Sequence, residues 1–304
     1  MVEISASMVK ELRERSGAAM MDCKKALVEA EGDFEKAFEW LRQKGVAVAS
    51  KKAARAASEG LVVGQVSADG KTGVIVEVNC ETDFVARNEE FVALAREIAE
   101  AALKHKPADA EALLNLSWDG RTLRDYVTEK VAKTGENIVV RRLTVFELGA
   151  PAGSVGLYVH ALGGKMGALL ELHSDKPVAV DQMGALAREL AMHVVSSKPQ
   201  FVRREDVPAD VIENERRIES GKADLADKKA EIRDKIIQGR VDKIIAERCL
   251  TEQPFVKDPS LTVQQYLKKK GGELGADIRA ARFALFILGE SAADSPQQKN
   301  GFEN

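Results

Sequence analysis

The chain has 304 residues, of which 45% are hydrophobic and 31% charged, and its formal net charge is −3 at pH 7. This length favours two or three modest hydrophobic cores over a single one. The slightly negative charge argues against a surface that binds nucleic acid through many phosphate contacts, so we expect no direct nucleic-acid partner. No apolar run approaches the ~20 residues that a membrane-spanning helix needs, which also argues against a membrane partner.

The three cysteines, Cys23, Cys80 and Cys249, lie far apart in the chain. An odd number of widely separated cysteines is typical of free thiols in a reducing compartment. The first five residues carry neither the positive charge nor the apolar segment of a secretory signal. We therefore expect a cytoplasmic protein.

Residues 4–44 predict three short amphipathic helices. Ser5 is placed to cap the first helix, and Gly17 to end it. Apolar residues recur at helical spacing in three groups, namely Met8, Val9 and Leu12, then Met20, Cys23, Ala26, Leu27 and Ala30, then Phe34, Ala37, Phe38 and Leu41. We expect these helices to form a small bundle with either Met20 or Met21 in its core, although methionine also serves in adaptable contact surfaces.

Residues 45–58 are rich in alanine and include Lys51, Lys52 and Arg55. We interpret them as a solvent-exposed linker helix. A basic helix that contacts RNA or an acidic partner is the less favoured alternative, because no aromatic residues lie among the basic ones.

Six segments rich in β-branched residues predict strands, at 61–66, 73–80, 138–148, 155–161, 166–172 and 278–288. A helix after the second strand should end near His105, because Pro107 cannot continue it. A further helix at 123–133 should stop at Gly135. Strand pairs separated by helices favour two related α+β subdomains, although periodicity alone does not establish this layout.

Residues 206–247 are mostly charged and predict two antiparallel helices with a thin apolar seam. Pro208 opens the first helix, and Gly221 breaks it. The second helix is expected to carry its apolar residues at Leu225, Ala226, Ile232, Ile236, Ile237, Val241, Ile244 and Ile245. We expect this pair to project as a hairpin. Residues 290–304 are polar and predict a disordered tail.

The stretch Gly73–Asn88 contains the main candidate site. Its strand-like alternation stops at Thr82, where either Thr82 or Asp83 can cap a helix. The following helix has apolar positions at Phe91, Leu94, Ala95, Ile98 and Ala102, so Asp83 and Phe84 stand at a strand-to-helix corner. Chemistry alone favours a core position for Phe84, because a continued helix would place it on the same face as Phe91. Asp83 would then be a plain N-cap.

No arrangement of residues typical of an enzyme is found. The four histidines form no His-Glu-x-x-His pair, and the sequence contains no Cys-x-x-Cys. Gly163-Gly164-Lys165 is similar to the end of a phosphate-binding loop, but Met166 stands where Ser or Thr would hold the metal. A glycine turn between two strands is the better interpretation. We expect no covalent catalysis, no cofactor and no bound metal.

Three long motifs resemble those of the translation elongation factor Ts family. They are Thr82-Asp83-Phe84-Val85-Ala86-Arg87-Asn88, Lys10–Ala26 and Ala191–Phe201. The match runs in the family's order from residue 1 to about residue 288. The resemblance implies an α+β fold with three parts: an N-terminal three-helix bundle similar to a ubiquitin-associated domain, a two-subdomain core, and an inserted antiparallel helical hairpin of coiled-coil type.

On this layout we expect five segments. They are a three-helix domain with its linker helix (1–55), a first core subdomain (56–152), a second core subdomain (153–200 and 248–289), the inserted hairpin (201–247) and the tail (290–304).

The resemblance also implies a partner and an activity. Members of the family bind elongation factor Tu, both GDP-bound and nucleotide-free, and promote GDP release so that GTP can rebind. They insert a short segment near the partner's magnesium and phosphate site, which here would be Thr82, Asp83, Phe84 and Val85. Further partner contacts are implied at Arg13, Met20, Met21, Lys24, Gly135 and His160, and a homodimer through the hairpin is one possible assembly.

The alternative is a protein of another class, an adaptor of the ubiquitin-associated type or an RNA-binding accessory factor of the ribosome. Solvent exposure of Phe84 is the observation that discriminates, because an adaptor has no use for an exposed ring at that corner.

Overall fold

A computed structural model of the protein describes residues 4–16, 18–161, 163–225 and 229–290. Two compact units are present, one from residues 1–63 and 76–144 and the other from residues 64–75 and 145–304. Both contain helices, and two three-stranded sheets are formed, which confirms the α+β class. Gly17 and the tail from residue 291, for which we predicted a helix end and disorder, lie outside the described residues.

The first unit opens with the three predicted helices α1 (Ala6–Ser16), α2 (Met20–Glu29) and α3 (Phe34–Lys52). Ser5 caps α1 as expected, because its Oγ accepts a hydrogen bond from the Met8 amide at 3.3 Å. The helices enclose a small core of Val9, Leu12, Cys23, Ala26, Leu27, Ala30 and Ala37.

The separate linker helix is a wrong prediction, because α3 runs without a break as far as Lys52. Most residues after Leu41 are good helix formers, and a single glycine, Gly45, costs only about 1 kcal/mol. Gly45 is buried, and α3 packs against the later helix at residues 123–134. Packing between the two helices therefore compensates the cost of the glycine.

The rest of the first sheet and the helices around it follow in order: β1 (Glu59–Val66), β2 (Thr72–Cys80), α4 (Asp83–Ala86), α5 (Glu89–His105), α6 (Ala110–Leu114), β3 (Ser117–Trp118), β4 (Arg121–Thr122), α7 (Leu123–Thr134) and β5 (Val139–Glu147). Strand β2 lies between β1 and β5 and is buried along its whole length. Its buried Glu77 accepts from Arg142 Nε at 2.7 Å, which compensates the charge. The helix ends predicted near His105 and at Gly135 are confirmed.

The remaining elements are β6 (Gly153–Val159), β7 (Met166–Ser174), α8 (Val180–Ser197), α9 (Ala209–Ser220), α10 (Ala230–Arg248), β8 (Pro254–Phe255), β9 (Asp258–Thr262), α11 (Val263–Leu274) and β10 (Ile278–Ile287). With these, all six predicted strands are found. The second sheet has the order β10-β7-β6 and is antiparallel, with Phe283 and Gly156 on either side of Leu170. Gly156 is required there, since a Cβ would lie 2.4 Å from the backbone of Ala187 in α8.

A buried histidine joins α8 to the segment that contains β8. His193 Nε2 lies 3.0 Å from Gln253 Oε1, and His193 Nδ1 accepts from the Val256 amide at 3.1 Å. Because the ring is fully buried, desolvation lowers the pKa of His193, with a smaller opposing effect from the Gln253 hydrogen bond. His193 is therefore a structural hydrogen-bonding residue.

The two helices predicted within 206–247 are confirmed as α9 and α10. Arg248 pairs with Glu215 at 2.7 Å and Arg240 with Glu219 at 3.6 Å, an order that fits antiparallel packing. The ends of the segment lie side by side, because the Gln200 amide donates to the Arg248 carbonyl at 2.8 Å.

Two details of the hairpin differ from expectation. Leu225 belongs to a 3-10 turn before α10, and Ile232 is half exposed instead of lying in the seam. Ala226 lies outside the described residues. The hairpin nevertheless has its own buried cluster, made of Phe201, Val207, Leu225, Ile237, Val241, Ile245 and Cys249.

Candidate functional site

The corner after β2 is formed by the four-residue helix α4. Thr82 caps it: the backbone of Thr82 is extended, and its Oγ1 accepts from the Val85 amide at 3.4 Å. Of the two candidate caps, the structure therefore selects Thr82, and Asp83 is the first residue of the helix.

Helix α4 does not continue into α5. Arg87 ends α4, and Asn88 starts a new helix by accepting from the Glu90 amide through Oδ1 at 2.8 Å. Phe91 is buried, with 2% of its surface exposed, whereas Phe84 is 84% exposed. The core position favoured by chemistry alone is therefore wrong, because the break between the helices removes the shared face that seven-residue spacing would have given the two rings.

Asp83 lies beside the exposed ring. Its carboxylate pairs with Arg87 at 2.9 Å, one helical turn along, and the side chains of both residues are exposed to solvent. Such a pair contributes at most ~1 kcal/mol, so the carboxylate can exchange Arg87 for another cation at little cost. Val85 is half-buried and Ala86 is buried, so the side of α4 that carries these residues packs against the protein.

The carboxylate of Glu136 holds the corner from a different segment. Its Oε2 accepts from the amides of Glu81 and Thr82 at 3.1 and 3.0 Å, and its Oε1 accepts from Thr82 Oγ1 at 2.7 Å. Our sequence reasoning missed Glu136. The available signal was its place in the Gly135-Glu-Asn-Ile138 turn, directly after the helix end that was predicted correctly.

The corner also accepts a hydrogen bond from the turn that contains Glu136. Glu81 Oε1 accepts from the Asn137 amide at 2.7 Å, and this bond is the main reason why the pKa of Glu81 is lowered. Asn137 Nδ2 donates to the Arg55 carbonyl at 2.9 Å, and Lys52 Nζ donates to the Gly135 carbonyl. The corner, the turn after α7 and the end of α3 thus form one hydrogen-bonded block.

Cys80 lies next to this block, and its thiol donates to the Thr82 carbonyl at 3.2 Å. Burial, with a further contribution from the Glu136 charge, raises the pKa of Cys80 to about 12. A thiol with this pKa is protonated at neutral pH, so Cys80 is not an activated nucleophile.

The candidate contact residues on α1 and α2 are all exposed. Met20 and Met21 are 51% and 63% exposed, so the expectation that one of them lies in the core is wrong. Met20 is the first residue of α2, and the core begins one turn later at Cys23. Arg13 and Lys24 are also exposed, on α1 and α2 respectively.

The last two candidates lie at element ends. Gly135 ends α7 in the left-handed region, with φ 74°, which favours glycine. His160 belongs to the second unit and directly follows β6, where its Nδ1 lies 3.1 Å from the Tyr158 hydroxyl.

Among the residues that the structure describes, no group of three or more His, Cys, Asp or Glu side chains is arranged to hold a metal ion. Over the same ranges, no helix is both long and apolar enough to cross a membrane.

Comparison with known proteins identifies relatives along nearly the whole chain. The family model described as Elongation factor TS matches residues 81–290. The chain is 48% identical over 292 residues to the elongation factor Ts of Symbiobacterium thermophilum, covering 95% of this chain and 93% of the relative. It is 44% identical over 292 residues to that of Trichlorobacter lovleyi, covering 94% and 93%. It is 45% identical over 291 residues to that of Syntrophotalea carbinolica, covering 95% and 94%. The chain therefore belongs to the elongation factor Ts family.

Proposed function

We propose that this protein binds elongation factor Tu and promotes release of GDP from it, so that GTP can rebind, without covalent chemistry. Membership of the elongation factor Ts family supports the activity, and the exposed ring of Phe84 is the observation that carries the mechanism. Single exposed apolar residues are common on protein surfaces. Phe84, however, is a whole aromatic ring on an anchored helix, the kind of side chain that dominates binding energy at interfaces.

The Asp83–Phe84 pair acts near the nucleotide site of the partner. A GTPase holds its nucleotide through a phosphate-binding loop and a magnesium ion. Phe84 wedges between helices of the partner, and the carboxylate of Asp83 disturbs the contacts that position the metal. Asp83 is suited to this role because its pairing with Arg87 is exposed and weak.

Exchange of this kind is a coupling between two ligands of one partner. If the factor weakens GDP binding by a given ratio, GDP weakens binding of the factor by the same ratio. Burial of the Phe84 ring, worth ~1.5–3 kcal/mol, offsets part of the cost of distorting the partner. Neither step requires the factor to supply phosphate or metal ligands of its own.

Further contacts complete the interface. Met20 and Met21 offer exposed, adaptable apolar surface at the start of α2, and Lys24 and Arg13 supply charge nearby in the sequence. Gly135 and His160 are included because they match positions that the family uses.

We also propose the five-part division of the chain and a homodimer through the hairpin. We further propose a cytoplasmic location and no direct nucleic-acid or membrane partner.

The adaptor or RNA-binding alternative is less well supported. An adaptor has no use for an exposed aromatic ring at the end of a buried strand. The basic stretch 45–58, which is the candidate RNA contact, contains no aromatic residue on which a base could stack.

The test is release of fluorescent GDP from the cognate elongation factor Tu, followed by stopped flow at increasing concentrations of this protein. We expect the release rate to rise with concentration and then saturate. Because magnesium helps to hold the nucleotide, we expect its chelation to accelerate release on its own, and the additional effect of the factor should then shrink. A release rate that does not depend on the concentration of the factor would refute the proposed function.

A further inference from the structure

We propose that Glu136 is a positioning residue for nucleotide exchange, which acts through Thr82 and fixes how Phe84 is presented. The inference rests on the proposed function and extends it to a residue that follows α7, outside the exposed pair.

Helix α4 cannot hold Phe84 in place by its own stability. It has four residues, and a single helical turn is unfavourable in isolation because nucleation fixes several dihedral angles for one hydrogen bond. Its capping bond from the Val85 amide to Thr82 Oγ1 is long, at 3.4 Å. The geometry of the corner must therefore be imposed by other contacts.

Glu136 supplies these contacts. Thr82 Oγ1 donates its proton to Glu136 Oε1 at 2.7 Å, which directs the hydroxyl lone pairs towards the Val85 amide. The other carboxylate oxygen accepts from two successive backbone amides, those of Glu81 and Thr82, at the point where the chain leaves β2. Bonds to a charged acceptor are roughly twice as strong as neutral ones. One side chain thus sets both the direction of the backbone and the rotamer of the cap.

Glu136 is itself held in position. Its amide donates to Thr134 Oγ1 at 3.3 Å, and the preceding Gly135 is tied to α3 through Lys52. The carboxylate approaches Thr82 from a segment 54 residues further along the chain. The ring of Phe84 is therefore presented by tertiary contacts and not by local helix propensity.

The test compares Glu136→Gln with Glu111→Gln. Glu111 is the control, because it is an exposed glutamate of the same unit whose carboxylate accepts hydrogen bonds from the side chains of Arg124 and Asn115. We expect Glu136→Gln to lower the rate constant of GDP release about tenfold, equivalent to ~1.4 kcal/mol, with faster amide hydrogen exchange confined to residues 82–88. Glu111→Gln should leave both unchanged. Full activity of a folded Glu136→Gln protein would overturn the inference.

A double-mutant cycle separates positioning from a general loss of stability. If Glu136 acts by presenting Phe84, then Glu136→Gln should have almost no further effect on exchange once Phe84→Ala is in place. Effects that simply multiply in the double mutant would refute the inference.

Thr82 provides a second route should Glu136→Gln fold poorly. Thr82→Val keeps the shape of the side chain but loses both hydroxyl hydrogen bonds, so it should reduce exchange. Thr82→Ser keeps the hydroxyl, so it should retain exchange activity. Equal activity of the two variants would contradict positioning through the hydroxyl. A wild-type protein without exchange activity would refute the proposed function itself. Loss of activity in Phe84→Ala but in neither Glu136→Gln nor Thr82→Val would refute this inference alone.

Discussion

Replacing Phe84 by alanine should separate function from stability. The residue is 84% exposed, so the substitution removes little buried surface and leaves no cavity. Surface substitutions of this kind usually change the free energy of unfolding by less than ~0.5 kcal/mol. We therefore expect the melting temperature of Phe84→Ala to stay close to that of the wild type.

The effect on exchange should be large. If the partner buries the ring, its loss removes the ~1.5–3 kcal/mol that burial of a phenylalanine contributes. Aromatic hot spots at interfaces cost ~2 kcal/mol or more when truncated, which corresponds to about thirtyfold in an equilibrium. We expect a decrease of this order in the rate constant of GDP release at low factor concentration.

Phe91→Ala is the matched control. This ring is buried, with 2% of its surface exposed, and its truncation should cost ~3–5 kcal/mol of stability. Its exchange activity, measured where the protein is still folded, should remain close to wild type. The measurement is a thermal melt and stopped-flow GDP release for both variants in parallel. A folded Phe84→Ala protein with full exchange activity would refute the wedge.

Three further outcomes are expected. Asp83→Asn should slow GDP release while leaving binding to the nucleotide-free partner near normal. Arg87→Gln breaks the same ion pair but keeps the Asp83 charge, so it should leave the rate of GDP release unchanged. Equal rates of release in the two variants would exclude a charge-based role. Replacing residues 206–247 by a short turn should leave a cooperative thermal melt, because the ends of the segment already lie together. The melting temperature should fall, because Phe201 loses its packing. Loss of the transition would show that the hairpin is part of the core. Since burial lowers the pKa of His193 below its unfolded value of ~6.5, its contribution to stability is complete above that pH and is lost as the pH falls, at up to ~1.4 kcal/mol per pH unit. Urea unfolding between pH 7 and 5.5 should therefore show a steeper loss for wild type than for His193→Gln, and parallel slopes would contradict this.

Elements with a strong local pattern were predictable. The six strands, the three N-terminal helices and both hairpin helices have clear periodicity and end signals, and all of them are found. Helix α11 was missed although its capping box, Thr262 with Gln265, is visible in the sequence. Helix α8 was not predicted either. Its start signal is weaker, because Ala179, the residue before it, provides no side-chain cap.

Errors of boundary and burial came from packing that the local sequence does not encode. From the sequence, Gly45 is interpreted as the start of a linker, but α3 continues past it where the helix packs against α7. Met20 shares helical spacing with Cys23, yet as the first residue of α2 it extends beyond the small core. In both cases, contacts in the folded protein decide the helix boundary or the burial of the residue, and the helical spacing of apolar residues does not.

At the corner, the local pattern alone places Phe84 in the core, whereas the role implied by the family resemblance requires an exposed ring. Phe84 and Phe91 are spaced as two core residues of one helix, and only the cap at Asn88 separates them. An exposed ring gains nothing from a core, so apolar contacts cannot keep it in one orientation. Buried Ala86 anchors α4, and the polar support of the corner comes from Glu136, which accepts from three donors at the end of a buried strand. That carboxylate lies far along the chain, so no window around Phe84 contains the information that positions it.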